Sequence, residues 1–297
     1  MTVGATPAMW PRRSLDFRRF VASRGDRHRG RPNHGSRPSM GIKLLIESRV
    51  IADTEVSPMG ARTWRPAGPG PFPVVLCYHH GPGLGEEIYS VARDLAEEGF
   101  FAAAPDLYHR EGEEISFNMS DPSVRASERE RLFGIIDRTT PAIMVSDALV
   151  LIDAIRRNPA TDQGPVGCIG FCHTARTVIH GMARNPDVFA AGSFMHPFLT
   201  VTDRADSPHL LVREVEGTIY GAFGGADQIS PVATQQPLID ELNKLGDRAV
   251  VDVFPAANHG FLFQGTEPSV YEPEAAAAAW ARTVDLLRRG LNQVARA

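Results

Sequence analysis

The chain has 297 residues, 43% hydrophobic and 22% charged, the balance of a soluble globular protein long enough to bury a core without disulfides. Net charge is −4, but residues 1–39 hold nine arginines against Asp16 and Asp26, so the remainder is acidic and carries no nucleic-acid footprint. No apolar run reaches the ~18 residues of a membrane span, and three cysteines at no metal-ligand spacing exclude a disulfide framework and suit the cytoplasm.

Residues 1–40, rich in Arg, Pro, Gly and Ser, read as a basic, disordered extension. An Arg-rich targeting or nucleic-acid-binding tail and a translation start at Met40 are the open alternatives. Residues 41–297 read as one domain. Ile42 to Val50 and Gly60 to Trp64 are expected strands joined by a turn around Ser57-Pro58, and Pro66 to Pro73 is a loop. Val74 to Tyr78 is an uninterrupted apolar run, as in strands buried on both faces. Glu86 to Glu98 has helical amphipathicity and stops at Gly99. Phe100 to Ala104 is the next buried strand, ended by Pro105.

Arg110 to Arg138 interrupts this rhythm as a charged, weakly periodic insertion. A helix is expected over Ala142 to Arg157, a strand over Val166 to Ile169, and a helix over Thr174 to Ala183. Strands follow at Phe189 to Phe194, Gly217 to Phe223 and Ala249 to Phe254, with helices over Gln236 to Leu245 and Pro273 to Arg289. This alternation predicts a doubly wound α/β domain, its mostly parallel sheet covered by helices on both faces.

In such a sheet, reactive side chains gather at the carboxyl ends of the strands. Gly170-Phe171-Cys172-His173-Thr174 has the layout of a nucleophile elbow, with Cys172 at the apex of a tight turn between strand and helix. Gly224-Gly225-Ala226-Asp227 follows a later strand, and Asn258-His259-Gly260 follows the last. Nucleophile, acid and histidine thus stand in the chain order of α/β-hydrolase triads. A thiol of reference pKa near ~8.5 attacks as thiolate, and a paired imidazole provides for that. Cys77 and Cys168 read as core residues, and Asp106 as a residue that ties down its own loop. His79, His80 and His173 invite a metal reading, but no ordered carboxylate accompanies them, and neither metal nor cofactor is expected.

From Phe72 onward the chain resembles the dienelactone hydrolases, the cysteine-nucleophile branch of the α/β-hydrolases. Pro105-Asp106-Leu107-Tyr108, Gly170-Phe171-Cys172, Asp206-Ser207-Pro208-His209-Leu210, Asn258-His259-Gly260-Phe261 and Tyr271-Glu272-Pro273 carry the resemblance. It implies an α/β-hydrolase fold and a cytosolic, metal-independent hydrolase of small carboxylic esters or lactones, monomeric or homodimeric, with no nucleic-acid or membrane partner. It also implies a nucleophile at Cys172, a base at His259, an orienting acid at Asp227, and oxyanion donors in the backbone N–H groups of His173 and Gly81.

The chain departs from that family at three places. His80 stands where the family has a glutamate, Thr174 where a smaller residue is usual, and Phe263 where an arginine meets the substrate. His80, Phe263 and the inserted Arg131 are therefore the candidate pocket residues. Two other readings stay open: a degenerate hydrolase fold that binds a ligand, with the β-branched Thr174 pushing Cys172 out of line, and a hydrolase of other specificity, such as a thioesterase.

Overall fold

The computed structural model describes residues 44–119, 125–264 and 270–294. The extension expected over residues 1–40 and the start expected for the first strand at Ile42 lie outside them. Among the described residues, eight strands form one sheet: β1 (Leu45–Asp53), β2 (Pro58–Pro66), β3 (Val74–Cys77), β4 (Phe101–Pro105), β5 (Val166–Phe171), β6 (Phe189–Met195), β7 (Thr218–Gly224) and β8 (Ala249–Phe254). Their spatial order is β1-β2-β4-β3-β5-β6-β7-β8, antiparallel from β1 through β2 to β4 and parallel beyond.

The helices are α1 (Glu86–Glu97), α2 (Arg125–Arg138), α3 (Pro141–Ile155), α4 (Ala175–Arg184), α5 (Pro208–Leu211), α6 (Val232–Asn243) and α7 (Pro273–Val294). Period-two alternation along the central strands sorts their side chains between two apolar clusters. Val74 and Leu76 pack with residues of α2, α3, α4 and α6, whereas Val75 and Cys77 pack with α1 and α7. The doubly wound α/β expectation therefore holds, and the continuous apolar runs are the strands covered on both faces. Cys77 and Cys168 are fully buried, and that burial pushes both thiols far above their ordinary range.

Several boundaries differ from the sequence expectation. The first hairpin runs longer, to Asp53 and from Pro58, because its edge position lets exposed polar residues join a strand. The charged insertion contains α2, whose Leu132, Ile135 and Ile136 are buried in the core while its remaining surface stays charged. Its weak amphipathicity hid it. Helix α6 begins at Val232 rather than Gln236 and carries Pro237 inside it. The segment from Cys172 to Thr174 is a short 3-10 turn, and α4 starts only at Ala175.

Candidate active site

Cys172, Asp227 and His259 each leave a different strand at its carboxyl end: β5, β7 and β8. Cys172 holds φ 55, a left-handed conformation that a non-glycine residue adopts only where the surroundings enforce it. Two features enforce it here. A Cβ on Gly170 would come within 2.7 Å of the Thr174 carbonyl and 2.8 Å of the Val178 side chain, so only glycine lets α4 approach the end of β5 this closely. The Thr174 hydroxyl accepts the Phe171 N–H and donates to the Phe171 carbonyl, both at 2.9 Å. Thr174 thus closes the turn by hydrogen bonds within the main chain's own reach. A β-branched residue is accommodated without displacing the elbow.

Asp227 divides its carboxylate between two tasks. Oδ1 accepts the backbone N–H groups of Ile229 and Ser230 at 2.8 Å each, and Oδ2 accepts the His259 Nδ1–H at 2.7 Å. The turn is stitched to the histidine loop, with Gly225 N–H on the Phe254 carbonyl at 2.8 Å and Ala226 N–H on the Ala257 carbonyl at 2.9 Å. Any side chain on Gly224 or Gly225 would stand 2.7 Å from backbone atoms of that loop. Asn258 Oδ1 accepts the His259 N–H at 2.8 Å, and Gly260 turns the chain at φ 81.

His259 Nε2 is buried and makes no hydrogen bond of good geometry. Cys172 is nonetheless close enough to govern it. Burial pulls the imidazole down, but the negative charge of a Cys172 thiolate and the hydrogen bond to Asp227 together pull harder, and raise it from 6.5 to about 10. Cys172 itself is partly exposed.

The end of β3 supplies a second wall. Neither the Gly81 nor the His173 N–H donates to an acceptor among the described residues. The Tyr108 hydroxyl donates to the Gly81 carbonyl at 3.0 Å, so in its 3.2 Å bond to His173 the hydroxyl oxygen accepts and the His173 Nε2–H donates. That chain fixes both candidate donors relative to each other. His79 donates from Nδ1 to the His80 carbonyl at 2.8 Å and accepts the Leu107 N–H at Nε2, 3.2 Å away, a bridge between β3 and β4. Burial lowers His79 to about 3 and holds His173 well below its usual range, so both stay neutral. Asp106 accepts the N–H groups of Tyr108 and Glu114, tying down its loop.

Of the candidate pocket residues, His80 and Phe263 meet edge to face with ring centroids 4.8 Å apart, and Phe263 also packs on Phe171 at 5.0 Å. His80 Nε2 pairs with Glu87 in the first turn of α1. A carboxylate therefore reaches this wall through the imidazole. Arg131 lies on the exposed side of α2 with its guanidinium 5.2 Å from the centre of the Phe117 ring. The structure does not bring it to Cys172; its neighbour Leu132 is the α2 residue that faces Gly81. A helix turns adjacent residues about 100° apart, so the charged position and the contacting one could not both face inward.

Two further residues stand at the site, neither of them among the candidates above. His196 follows the last residue of β6, as Cys172 follows the last residue of β5, and the two strands pair up to Phe171 and Met195; a His-Pro step closing an apolar strand was its one signal. Arg176 is buried in α4, donating to the carbonyls of His173 and Ile136, and its burial lowers it to about 10 despite the nearby Cys172 and Tyr108. Ser57, His109 and Asp147 also line up, at 2.8 and 3.2 Å. Arg110 donates to both oxygens of Asp147, which makes that row a buried ion-pair network. Among the described residues, no group of three His, Cys, Asp or Glu side chains is placed to hold a metal ion, and no helix is long and apolar enough to cross a membrane.

A model of the dienelactone hydrolase family matches residues 59–291. Over 248 residues the chain is 30% identical to a "putative carboxymethylenebutenolidase" of Methylorubrum extorquens, covering 82% of this chain and 81% of the relative. A protein of the same name from Synechocystis sp. is 28% identical, over 76% of this chain and 90% of its own. In three dimensions, the crystal structure of a "putative dienelactone hydrolase" from Klebsiella pneumoniae superposes with a TM-score of 0.70 at 23% identity, covering 83% of this chain and 99% of that one, and shares its fold.

Proposed function

The chain belongs to the dienelactone hydrolase family, and from that premise we propose that it hydrolyses a small carboxylic ester or lactone through an acyl-enzyme on Cys172. The observation that carries this reading is the Asp227–His259 hydrogen bond of 2.7 Å beside a cysteine at φ 55. Asp227 holds the Nδ1–H tautomer, which leaves Nε2 free to take the thiol proton. The thiolate attacks the acyl carbon, and the oxygen that becomes negative is met by the N–H groups of Gly81 and His173. Collapse expels the alcohol, which leaves with the proton held on Nε2. His259 then takes a proton from water, the hydroxide attacks the thioester, and the acid departs as Cys172 is restored.

Losing one oxyanion donor in such a site typically costs ~2.7–4 kcal/mol of transition-state stabilisation. The imidazole paired with Asp227 and raised by the charge of Cys172 favours turnover over a ligand-binding role. The test is turnover of 4-nitrophenyl butyrate, with intact mass read during the reaction. An adduct of one butyryl group on wild type, absent in Cys172→Ala, is the expected result. Equal turnover in Cys172→Ala or His259→Ala would sink the assignment.

A further inference from the structure

One buried polar side chain at the strand ends has no part in the triad. His196 is 2% exposed, and both of its ring nitrogens lack a hydrogen-bond partner. Its ring centroid lies 4.7 Å from that of His259 and 5.8 Å from that of Phe263. The backbone holds it at φ 40, and two residues on the Phe198 N–H binds the Cys172 carbonyl at 3.0 Å, locking this loop to the nucleophile. Packing does not account for an imidazole here. A phenyl ring would fill the same aromatic niche without burying a donor and an acceptor that nothing satisfies. Across Phe263, His80 Nδ1 is likewise buried and unpaired.

We propose that His196 sets the specificity of this site by hydrogen-bonding a neutral polar group, such as a hydroxyl, on the alcohol side of the ester. The inference rests on the reading of Cys172 as an ester-cleaving nucleophile. The alcohol side follows from His259, which must reach the leaving oxygen to protonate it and against which His196 packs. A neutral group follows from charge. Burial, with His259 and His80 beside it, keeps the His196 imidazole uncharged, and the buried Arg176 guanidinium is already turned to backbone carbonyls. A site with a buried polar group that only the substrate satisfies rejects analogues lacking the partner by large factors.

The test compares two isosteric esters, 2-hydroxyethyl butyrate and propyl butyrate, by kcat/KM. Wild type should favour the hydroxyl ester about tenfold or more, and turn over the charged carboxymethyl butyrate most slowly. In His196→Phe the preference should shrink to within about twofold, with propyl butyrate still cleaved, which also reports that the variant is folded. Should His196→Phe lose both activities, His196→Asn, at home at positive φ and too short to reach the ester, carries the same comparison. A wild-type ratio near one, or a ratio that survives in the variant, overturns the proposal alone. Turnover that persists in Cys172→Ala overturns the parent reading and this one with it.

Discussion

The Thr174 hydroxyl and the Phe171 backbone form a reciprocal pair, one bond accepted and one donated, that closes the turn around Cys172. The side chain that departs from the family pattern is therefore the one that fastens the elbow. Replacing it with valine keeps the shape and removes both bonds. Thr174→Val should lower the unfolding free energy by about 1–3 kcal/mol, the cost of leaving buried polar groups without a partner. Urea denaturation reads the loss, and ester turnover should fall in parallel as Cys172 loosens.

Gly170 tests the same turn from below. A methyl group there meets the Thr174 carbonyl and Val178 at under 3 Å, and the α4 backbone has no room to withdraw from β5. Gly170→Ala should destabilise the fold by about 1–3 kcal/mol through overpacking. Gly85, with nothing near its missing Cβ, is the matched control. Thermal melts of the two variants make the comparison, and equal melting temperatures would count against the packing argument.

Asp227→Asn separates the two tasks of that carboxylate. The amide oxygen can still accept the Ile229 and Ser230 N–H groups, so the fold should be retained to within about 1 kcal/mol. The His259 tautomer loses its anchor, and kcat should drop on the order of 10³–10⁴-fold, as when a triad aspartate is neutralised elsewhere. Denaturation and steady-state kinetics on one preparation read both. Unchanged kcat would assign Asp227 to the turn alone.

The raised imidazole makes a prediction in pH. His259 binds its proton more tightly folded, at about 10, than at its ordinary 6.5. Its protonated form therefore contributes stability that is whole below pH 6.5 and is lost as the pH climbs through about 10. Wild type should lose more unfolding free energy than His259→Gln across that window. Titrating the ring by NMR gives the direct reading, and Cys172→Ala should bring the midpoint down because the thiolate charge is gone.

Legibility varied with how local the physics was. The strands of the central sheet were readable because burial on both faces demands unbroken apolar runs. The turns carrying Cys172, Asp227 and His259 were readable because tight turns demand glycine and small polar residues at fixed offsets. Helix α2 was not, since three buried residues on a charged helix leave too weak a period. Arg131 illustrates the same limit: a cation in an insertion can be placed near a site by alignment, yet helical phase puts Leu132 inward instead.

By itself the sequence determined the alternation of strand and helix, the buried strands and the order of the turns that carry Cys172, Asp227 and His259, because each is written in short-range periodicity and turn chemistry. Only the tertiary structure decided which residues meet. Strands β5 and β6 pair up to Phe171 and Met195, His196 meets the His259 ring, Glu87 reaches His80 from α1, and Arg176 turns its charge to backbone carbonyls. The pairing of β5 with β6 and the Arg176 bond to the Ile136 carbonyl join segments far apart in the chain, so their partners are chosen by packing and sheet order, which no local pattern records.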